Sequence, residues 1–551
     1  MDGDGPTEQV DPSTPEGSQV GDAVAEGQGA GGISVNPTNL PALIRLTRKT
    51  SRDCSGEPML TFERRAIIAR ATTDCLRGMG TLYQATDGYS YFFDAARHTL
   101  VNVTEVAFKR FLAELTGLNP TETEFGFVIE HLLTEAFHRG VPTAVHRLAH
   151  YDRPTNRLYV TDFGTGMHVL NGSSITHAPN GANGVLFATA VQGQPYTHLP
   201  PSRRPAGATL QEFLDPIPFD PAARLSPADA KVLLYIWFHS IFFHTLNPTK
   251  LIPLFLGIHG SAKTSTTRRI GMQLMGEGFN VVGMESGERG EHAFIATVCG
   301  KPFAAFDNAD APLKWLPDRL ATYATGQDFE LRKLYTTNEL AIYHPVAHIV
   351  LTSRDPYFRR PDVAERLLIC RLRRLESFVP ESDIWSQTLE RRDAVWSDLL
   401  DLLNQALVIL NSVPEVPESN FRMADFAAFG YRLSVGRGGP EAASRFLQSL
   451  ELLEQEQAQY ATEEDPLAAA LAAWLTKERN LSREVETSEL YRDLSSIAKD
   501  QGLLLPRTPS AFARKLNLSK RPLEMVLGVR ITARYTTHGF RWMFSDGSAN
   551  G

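Results

Sequence analysis

Cysteine is scarce in this chain and poorly spaced for chemistry. The four cysteines, Cys54, Cys75, Cys299 and Cys370, lie far apart, with no C-x-x-C and no paired histidines beside them. That excludes a disulfide framework and the usual zinc spacings, and it suits a reducing compartment. Long hydrophobic runs are missing as well. The longest, "VLLYIWFHSIFFHTL" from Val232 to Leu246, carries two histidines and is about five residues short of a bilayer span. A buried helix is expected there. The first basic residue is Arg45, so the opening residues have neither the basic nor the apolar region of a signal peptide. A soluble, cytoplasmic protein without a membrane partner is the expectation. Positive charge is not in excess either, with a net charge of -8. That balance does not advertise a nucleic-acid partner, although averaging over several domains conceals local patches. Repeats of about 20–50 residues are absent, which excludes a solenoid.

What is present is a globular composition, 42% hydrophobic over 551 residues, with room for three or four domains. Residues 1–35 are rich in Gly, Asp, Glu, Pro and Ser. They cannot offset their ordering entropy by burial, so a disordered acidic tail is expected. Residues 36–215 read as an α+β domain of unknown role. "FERRAIIARATTDCLRGMGTLY" and "TETEFGFVIEHLLTEAFHRG" have helical periodicity, whereas "GYSYFFDAARHTLVNVT", "RLYVTDFGTGMHVLNG" and "GVLFATAV" read as strands. His138, His146 and His150 are scattered there and read as structural. Residues 216–380 alternate short apolar runs with helical segments, the pattern of an α/β domain with a mostly parallel sheet. A helical region at 381–462 follows, and a small basic module at 463–546 closes the chain.

The chemistry concentrates in "LIPLFLGIHGSAKTSTTRRIG", Leu251 to Gly271. An apolar strand enters a glycine turn and a helix leaves it, the context in which backbone N–H groups and the helix dipole converge on phosphate. The phosphate-loop pattern G-x-x-x-x-G-K-[ST] is matched at Gly257, Lys263 and Thr264, but Ala262 stands where the second glycine belongs. Gly257 and Gly260 keep the turn flexible, with Ser261 and Ser265 completing the cradle. Lys263 is expected to reach the β- and γ-phosphates of ATP, and the Thr264 hydroxyl to hold Mg²⁺.

"KPFAAFDNAD" lies downstream, an apolar strand ending in acids where a Walker B carboxylate belongs, with Asp307 44 residues after Lys263. Asp307 is expected to complete the Mg²⁺ site, and Asn308, or Asp310 further on, to orient the attacking water. No Asp-Glu pair is present. "HIVLTSRDP" is a third apolar strand with polar residues at its C-terminal end, which places Thr352 or Ser353 as a γ-phosphate sensor. A segment between them, with "TGQD" and "TTNE" turns, reads as a hairpin carrying Arg332 and Lys333. Arg359, Arg360 and Arg366 follow the sensor strand. An arginine there can reach the γ-phosphate held by a neighbouring subunit, and Arg366 is the strongest candidate.

This order of elements resembles the superfamily 3 helicases, AAA+-type ATPases of viral, phage and plasmid replication, over roughly Leu251 to Leu375. "LATYATGQD…LRKLY" resembles that superfamily's extra motif, and "IVLTSRDP" its third motif, with Arg354 where Asn is common. "GIHGSAKTSTTR", "FAAFDN", "DVAERLLICRL" and "RMADFAAFG" look like the prophage and mobile-element ATPases grouped with primase–helicases. In those proteins an alanine in the loop and an Asp-Asn Walker B recur. The resemblance implies a P-loop NTPase (AAA+-like) core and a homo-oligomeric ring, commonly a hexamer, with ATP between subunits. It also implies 3′ to 5′ translocation on single-stranded DNA, with Arg332 and Lys333 lining the channel, and replication proteins as possible partners.

The C-terminal module reads helix, helix, helix, then two strands, the order of a winged helix. Residues 505–546 hold eight Lys/Arg against two Asp/Glu, an excess of six that opposes the global charge and marks a nucleic-acid footprint. The third helix, with Arg514 and Lys515, is the expected recognition element. The full expectation is an ATP-dependent DNA helicase-like motor of mobile-element replication. Two rivals are a non-unwinding ATP-switch initiator or loader, and a P-loop phosphotransferase.

Overall fold

A computed structural model describes residues 35–53, 55–189, 193–310, 313–332, 340–356, 358–413, 416–477, 480–536 and 539–547. The acidic tail expected at 1–35 lies outside the described residues but for Val35, as does Cys54. The described chain forms two compact units, residues 35–146 with 179–189, and residues 147–178 with those from 193 onward.

The first unit packs helices Thr61–Met79 and Thr123–Arg139 against a four-stranded sheet. Apolar positions three and four apart, such as Phe125, Val128, Ile129 and Leu132, put one stripe of the second helix into the core. Gly80–Tyr83, expected to extend the first helix, instead opens the strand Gly80–Ala85. A Cβ at Gly80 would stand 1.8 Å from the Phe93 carbonyl oxygen, so strand pairing there demands glycine.

In the second unit a five-stranded parallel sheet comprises β1 (Ile252–Leu256), β2 (Val282–Gly283), β3 (Phe303–Asp307), β4 (His348–Ser353) and β5 (Leu367–Arg371). Their spatial order is 5-1-4-3-2. β1, β3 and β4 are nearly continuous apolar runs because helices cover both faces. Leu256 pairs with Ser353 on one side and Arg371 on the other, so the carboxyl ends of β4, β1 and β5 meet at one edge.

The apolar run at 232–246 is a helix only in part. Helix α1 covers Pro227–Ser240, begun by the Ser226 cap and a proline in its first turn, and the chain turns at Ile241. Helix α2, Lys263–Met275, follows the glycine loop. Two long helices, α3 (Glu381–Ser412) and α4 (Ala424–Thr462), bury Trp396, Leu400, Leu403 and Phe446 in the core that also holds Trp237 and Phe242. α4 bends at Gly438, Gly439 and Pro440, where Gly439 takes φ 68° and proline removes a ladder hydrogen bond.

The C-terminal module has its own core, including Leu471, Trp474, Leu494, Phe512, Trp542 and Phe544. Helices α5 (Pro466–Leu475), α6 (Thr487–Asp500) and α7 (Pro509–Leu518) match the three expected segments. Two elements were too short to read from periodicity: helix α8 (Lys520–Leu527) and strand β6 (Glu484–Glu486). β6 pairs with β8 (Gly539–Asp546), which in turn pairs with β7 (Val529–Thr536), all antiparallel. Among the described residues no helix is long and apolar enough to cross a membrane.

Candidate nucleotide site

The loop between β1 and α2 is shaped by its smallest residues. A Cβ at Gly257 would lie 2.5 Å from the Ser261 hydroxyl and 2.6 Å from the Leu372 carbonyl oxygen, so only glycine fits. Gly260 takes φ 76° and Ala262 φ 57°, left-handed residues of the kind that build anion-binding turns. Ser261 is buried and donates to the Ile258 carbonyl at 2.8 Å, which braces the turn. Ala262 is the N-cap of α2 and supplies no side-chain cap, so the first N–H groups of the helix are left without a side-chain acceptor from that residue.

Lys263 folds back over the loop, its ammonium donating to the Gly257 carbonyl at 2.7 Å and to that of Ile258 at 3.2 Å. Partial burial lowers its pKa below the ordinary lysine value, against the opposing pull of Asp310 and Asp307. Next to it, Thr264 Oγ1 donates to the Asp307 carboxylate, at 3.0 Å and 3.1 Å from its two oxygens. Thr352, fully buried on β4, donates a second short hydrogen bond to the same carboxylate. Its hydroxyl also accepts the Asn308 N–H at 3.2 Å. One carboxylate thus joins the start of α2 to the ends of β3 and β4.

Asn308 has φ 56°, in the left-handed region where Asn is tolerated far better than Glu. Glu at this position would have to take the same left-handed φ. Asp310 is gripped by the Ser353 hydroxyl at 2.5 Å and by the Arg354 and Asp355 N–H groups at 2.7 Å and 3.1 Å. Burial works to raise its pKa, but these donors and the Arg354 charge hold it below the usual carboxylate value.

Of these groups, Gly260, Ser261, Ala262, Lys263, Thr264, Asn308, Asp310 and Arg354 line one cavity of about 1000 Å³, whereas Asp307 and Thr352 are not among its lining residues. Its lining includes the polar groups Lys263, Thr264, Asn308, Asp310 and Arg354 and apolar groups such as Phe213, Pro218, Phe378 and Ile384. Ser265 Oγ donates to Glu381 at 3.0 Å on the cavity wall. Cations and a glycine loop suit phosphates and apolar walls suit a base, so this lining is of the kind a nucleotide takes. Thr264 and Asp307 supply hard oxygens for Mg²⁺, which ordinarily takes one or two protein ligands and keeps several waters. Among the described residues no group of three or more His, Cys, Asp or Glu is placed to hold a metal.

Not every expected site residue joins them. Arg366 lies at the opposite edge of the sheet, where its carbonyl accepts the Ile252 N–H at the start of β1. It is 7% exposed and donates to the Asp362 carbonyl. Arg359 is bound to Glu463 at 2.9 Å, and Arg360 to Asp318 and Asp362. The hairpin forms, Phe329–Arg332 pairing antiparallel with Leu340–Tyr343, and Arg332 ends its first strand. Lys333 lies outside the described residues. In the C-terminal module Arg514 is exposed, whereas Lys515 is paired with Asp465 at 2.5 Å. Sequence reasoning noted Arg354 only as a departure from the third motif and gave no role to His259, yet the two meet at 2.9 Å on the cavity wall. Their one signal was that each sits inside a quoted motif, His259 in "GIHGSAKTSTTR" and Arg354 in "IVLTSRDP".

The glycine loop, the strand order and the acidic end of β3 are consistent with a P-loop-type core in a mixed α/β chain. Residues 223–456, which span this core and the two long helices, match the family described as Actinomycete integrative conjugative element replication protein. No curated protein matches the chain. Among solved structures, the apo C-terminal region of NrS-1 aligns at 10% identity and a TM-score of 0.37, over 86% of this chain and 98% of that one. SCCmec type IV Cch, titled an active helicase, aligns at 12% identity and a TM-score of 0.39, over 83% of this chain and 91% of that one. JCV helicase aligns at 15% identity and a TM-score of 0.23, over 46% and 65%.

Proposed function

We propose that the chain is an ATP-dependent, helicase-like motor of mobile-element DNA replication, an AAA+-like ATPase of the superfamily 3 type. One observation carries this reading: the Thr264 hydroxyl, the Asp307 carboxylate and the Thr352 hydroxyl converge beside Lys263 at the phosphate-loop edge of the sheet. The family match to a replication protein supports the biological setting.

In this reading Lys263 leaves its loop carbonyls for the β- and γ-phosphates of ATP, and the N–H groups of the loop and of α2 hold the remaining phosphate oxygens. Thr264 and Asp307 hold Mg²⁺, which when bound neutralises charge on the phosphate oxygens. Thr352 fixes the rotamer of Asp307, and Asn308 or Asp310 orients the attacking water. Arg354, at the end of β4, faces the same cavity and adds a cation there. Arg366 acts only across a subunit interface, because its own site is on the far side of the sheet. A ring is therefore part of the proposal, with the Arg332–Lys333 hairpin facing single-stranded DNA and the C-terminal module acting as a winged helix.

ATP turnover measured with and without single-stranded DNA tests this. Lys263→Ala is expected to abolish turnover with the fold intact, and undiminished hydrolysis would sink the site assignment. The burial of Arg366 favours one second reading, an ATP switch that assembles without unwinding. A strand-displacement assay separates the two, since a switch releases no labelled strand.

A further inference from the structure

The hairpin β7–β8 ends in a feature that neither folding nor the nucleotide cavity uses. Tyr535 and Phe540 are cross-strand partners near its tip, their rings 5.3 Å apart at 73°. Tyr535 is 76% exposed and Phe540 38%. The pair is rooted: Phe540 lies 5.8 Å from Trp542, which is fully buried and donates from Nε1 to the Thr487 hydroxyl at 3.0 Å. Thr487 in turn donates to the Phe540 carbonyl at 2.7 Å. An aromatic ladder thus climbs out of the module's core and ends in a ring open to solvent.

The other face of the hairpin is cationic. Side chains alternate along a strand, so Arg530 and Arg534 of β7 stand opposite the aromatic row. Arg534 is directly paired with Arg541, a like-charge cross-strand contact that works against the fold. Glu486 answers Arg541 at 2.9 Å, with Glu484 at 3.9 Å, but both glutamates belong to β6, on the far side of β8. Arg530 and Arg534 are exposed on the edge strand and form no ion pair with the described residues. The expected recognition helix α7 is weaker in charge than its sequence promised, because Asp465 takes up Lys515, and in the following helix α8 Glu454 takes up Arg521 at 2.6 Å.

We infer that the described outer part of strands β7 and β8, at Tyr535 and Arg534, is a binding site for single-stranded DNA. An unpaired base stacks on Tyr535, while Arg534 and Arg530 meet the backbone phosphates. The strand that carries Tyr535, Arg534 and Arg530 is the sheet edge, so a single strand crossing that edge meets the ring on one face and the two cations on the other, the aromatic and cationic pairing that sequence-tolerant single-strand binding uses. A duplex keeps both faces of its bases covered and has no use for the ring. This binding needs no ATP and stands apart from the motor reading.

Fluorescence anisotropy of the full chain, without ATP, on a 20-nucleotide oligothymidylate and on a blunt duplex of the same length tests the site. Tyr535→Ala is expected to weaken single-strand binding about ten-fold, to leave duplex binding within about two-fold, and to leave DNA-free ATP turnover unchanged. Tyr535→Phe keeps the ring and is expected to keep the affinity. Arg534→Gln is expected to reduce the slope of log affinity against log salt by about 0.7. A 2-aminopurine in the oligonucleotide is expected to be quenched by the wild-type chain and not by Tyr535→Ala. Unchanged single-strand affinity in a Tyr535→Ala chain with a normal thermal melt would overturn the site. An equal loss on duplex would overturn it too, as would wild-type protein that fails to bind the single strand. Tyr535-dependent binding without ATP turnover would refute the motor and leave this site standing, whereas turnover with Tyr535-independent binding would do the reverse.

Discussion

Replacing Thr352 with valine probes the junction on which the proposed chemistry depends. Valine keeps the β-branched shape that suits a buried strand, so β4 is expected to remain in place. What disappears is one hydroxyl with two duties. It donates to the Asp307 carboxylate and accepts the Asn308 N–H at 3.2 Å. The residue is fully buried, so water cannot substitute. The orphaned N–H is expected to cost about 1–3 kcal/mol of stability. Asp307 retains Thr264 as its other hydroxyl partner but loses the one that is fixed in the sheet. Partners that orient a metal-holding carboxylate typically contribute about 10- to 100-fold to metal affinity or activity. The expected outcome is a kcat for ATP hydrolysis down by about that factor, with nucleotide affinity changed far less, because the loop and Lys263 are untouched. Phosphate release gives kcat, titration with a fluorescent ATP analogue gives affinity, and Thr352→Ser is expected to restore turnover. A Thr352→Val chain with wild-type kcat and the same magnesium requirement would refute the reasoning.

Other outcomes follow from single residues. Ala262→Gly removes a left-handed alanine but loosens the unfolded chain, so stability is expected to change by less than about 1 kcal/mol with ATP binding retained. Ala262→Val puts a β-branched residue at φ 57° and is expected to abolish binding in the same titration. Glu456 is 1% exposed and holds Arg371 of β5 at 2.6 Å. Glu456→Ala is expected to destabilise the core by about 3 kcal/mol in denaturant unfolding, since Glu463 remains as a partner for Arg371. Burial, with His177 and His198 close by, lowers the His168 pKa from 6.5 to about 4. The unfolded chain then binds more protons between these values, so stability is expected to fall as pH drops from 6.5 toward 4. His168→Leu is expected to flatten that part of the stability curve. The folded-state pKa of Asp310 is depressed instead, so its contribution is present above 3.8 and is lost as pH falls below it. Asp310→Asn is expected to blunt that acid limb.

Local order was open to reading in the chain. Apolar runs bounded by polar residues announced β1, β3 and β4, and the glycine-rich turn before "KTSTTRR" announced α2, because each is decided by neighbours within about ten residues. The short elements were not open to reading. Strand β6 has three residues, too few for a period to appear, and it exists because β8 offers an edge to pair with. Helix α8 is brief and is held by a contact between Arg521 and Glu454, 67 residues apart. Nothing in "LNLSKRPLEM" announces that partner.

The same division runs through the candidate sites. Gly257, Lys263, Thr264 and Asp307 could be singled out by type and order, and the structure brings Thr264 and Asp307 into contact beside Lys263 at one strand–loop–helix edge. The sequence by itself therefore determined an α/β chain with a glycine loop between strand and helix and a basic C-terminal module. Only the tertiary structure decided how its charges are spent. Lys515 is claimed by Asp465 and Arg366 is buried at the opposite sheet edge, while Arg354 faces the loop. Ala262 and Asn308, which depart from the usual pattern, both sit at left-handed φ. Charge pairing, burial and backbone handedness depend on residues brought together from tens of positions away. Such contacts leave no local periodicity, so they become visible only once the chain has packed.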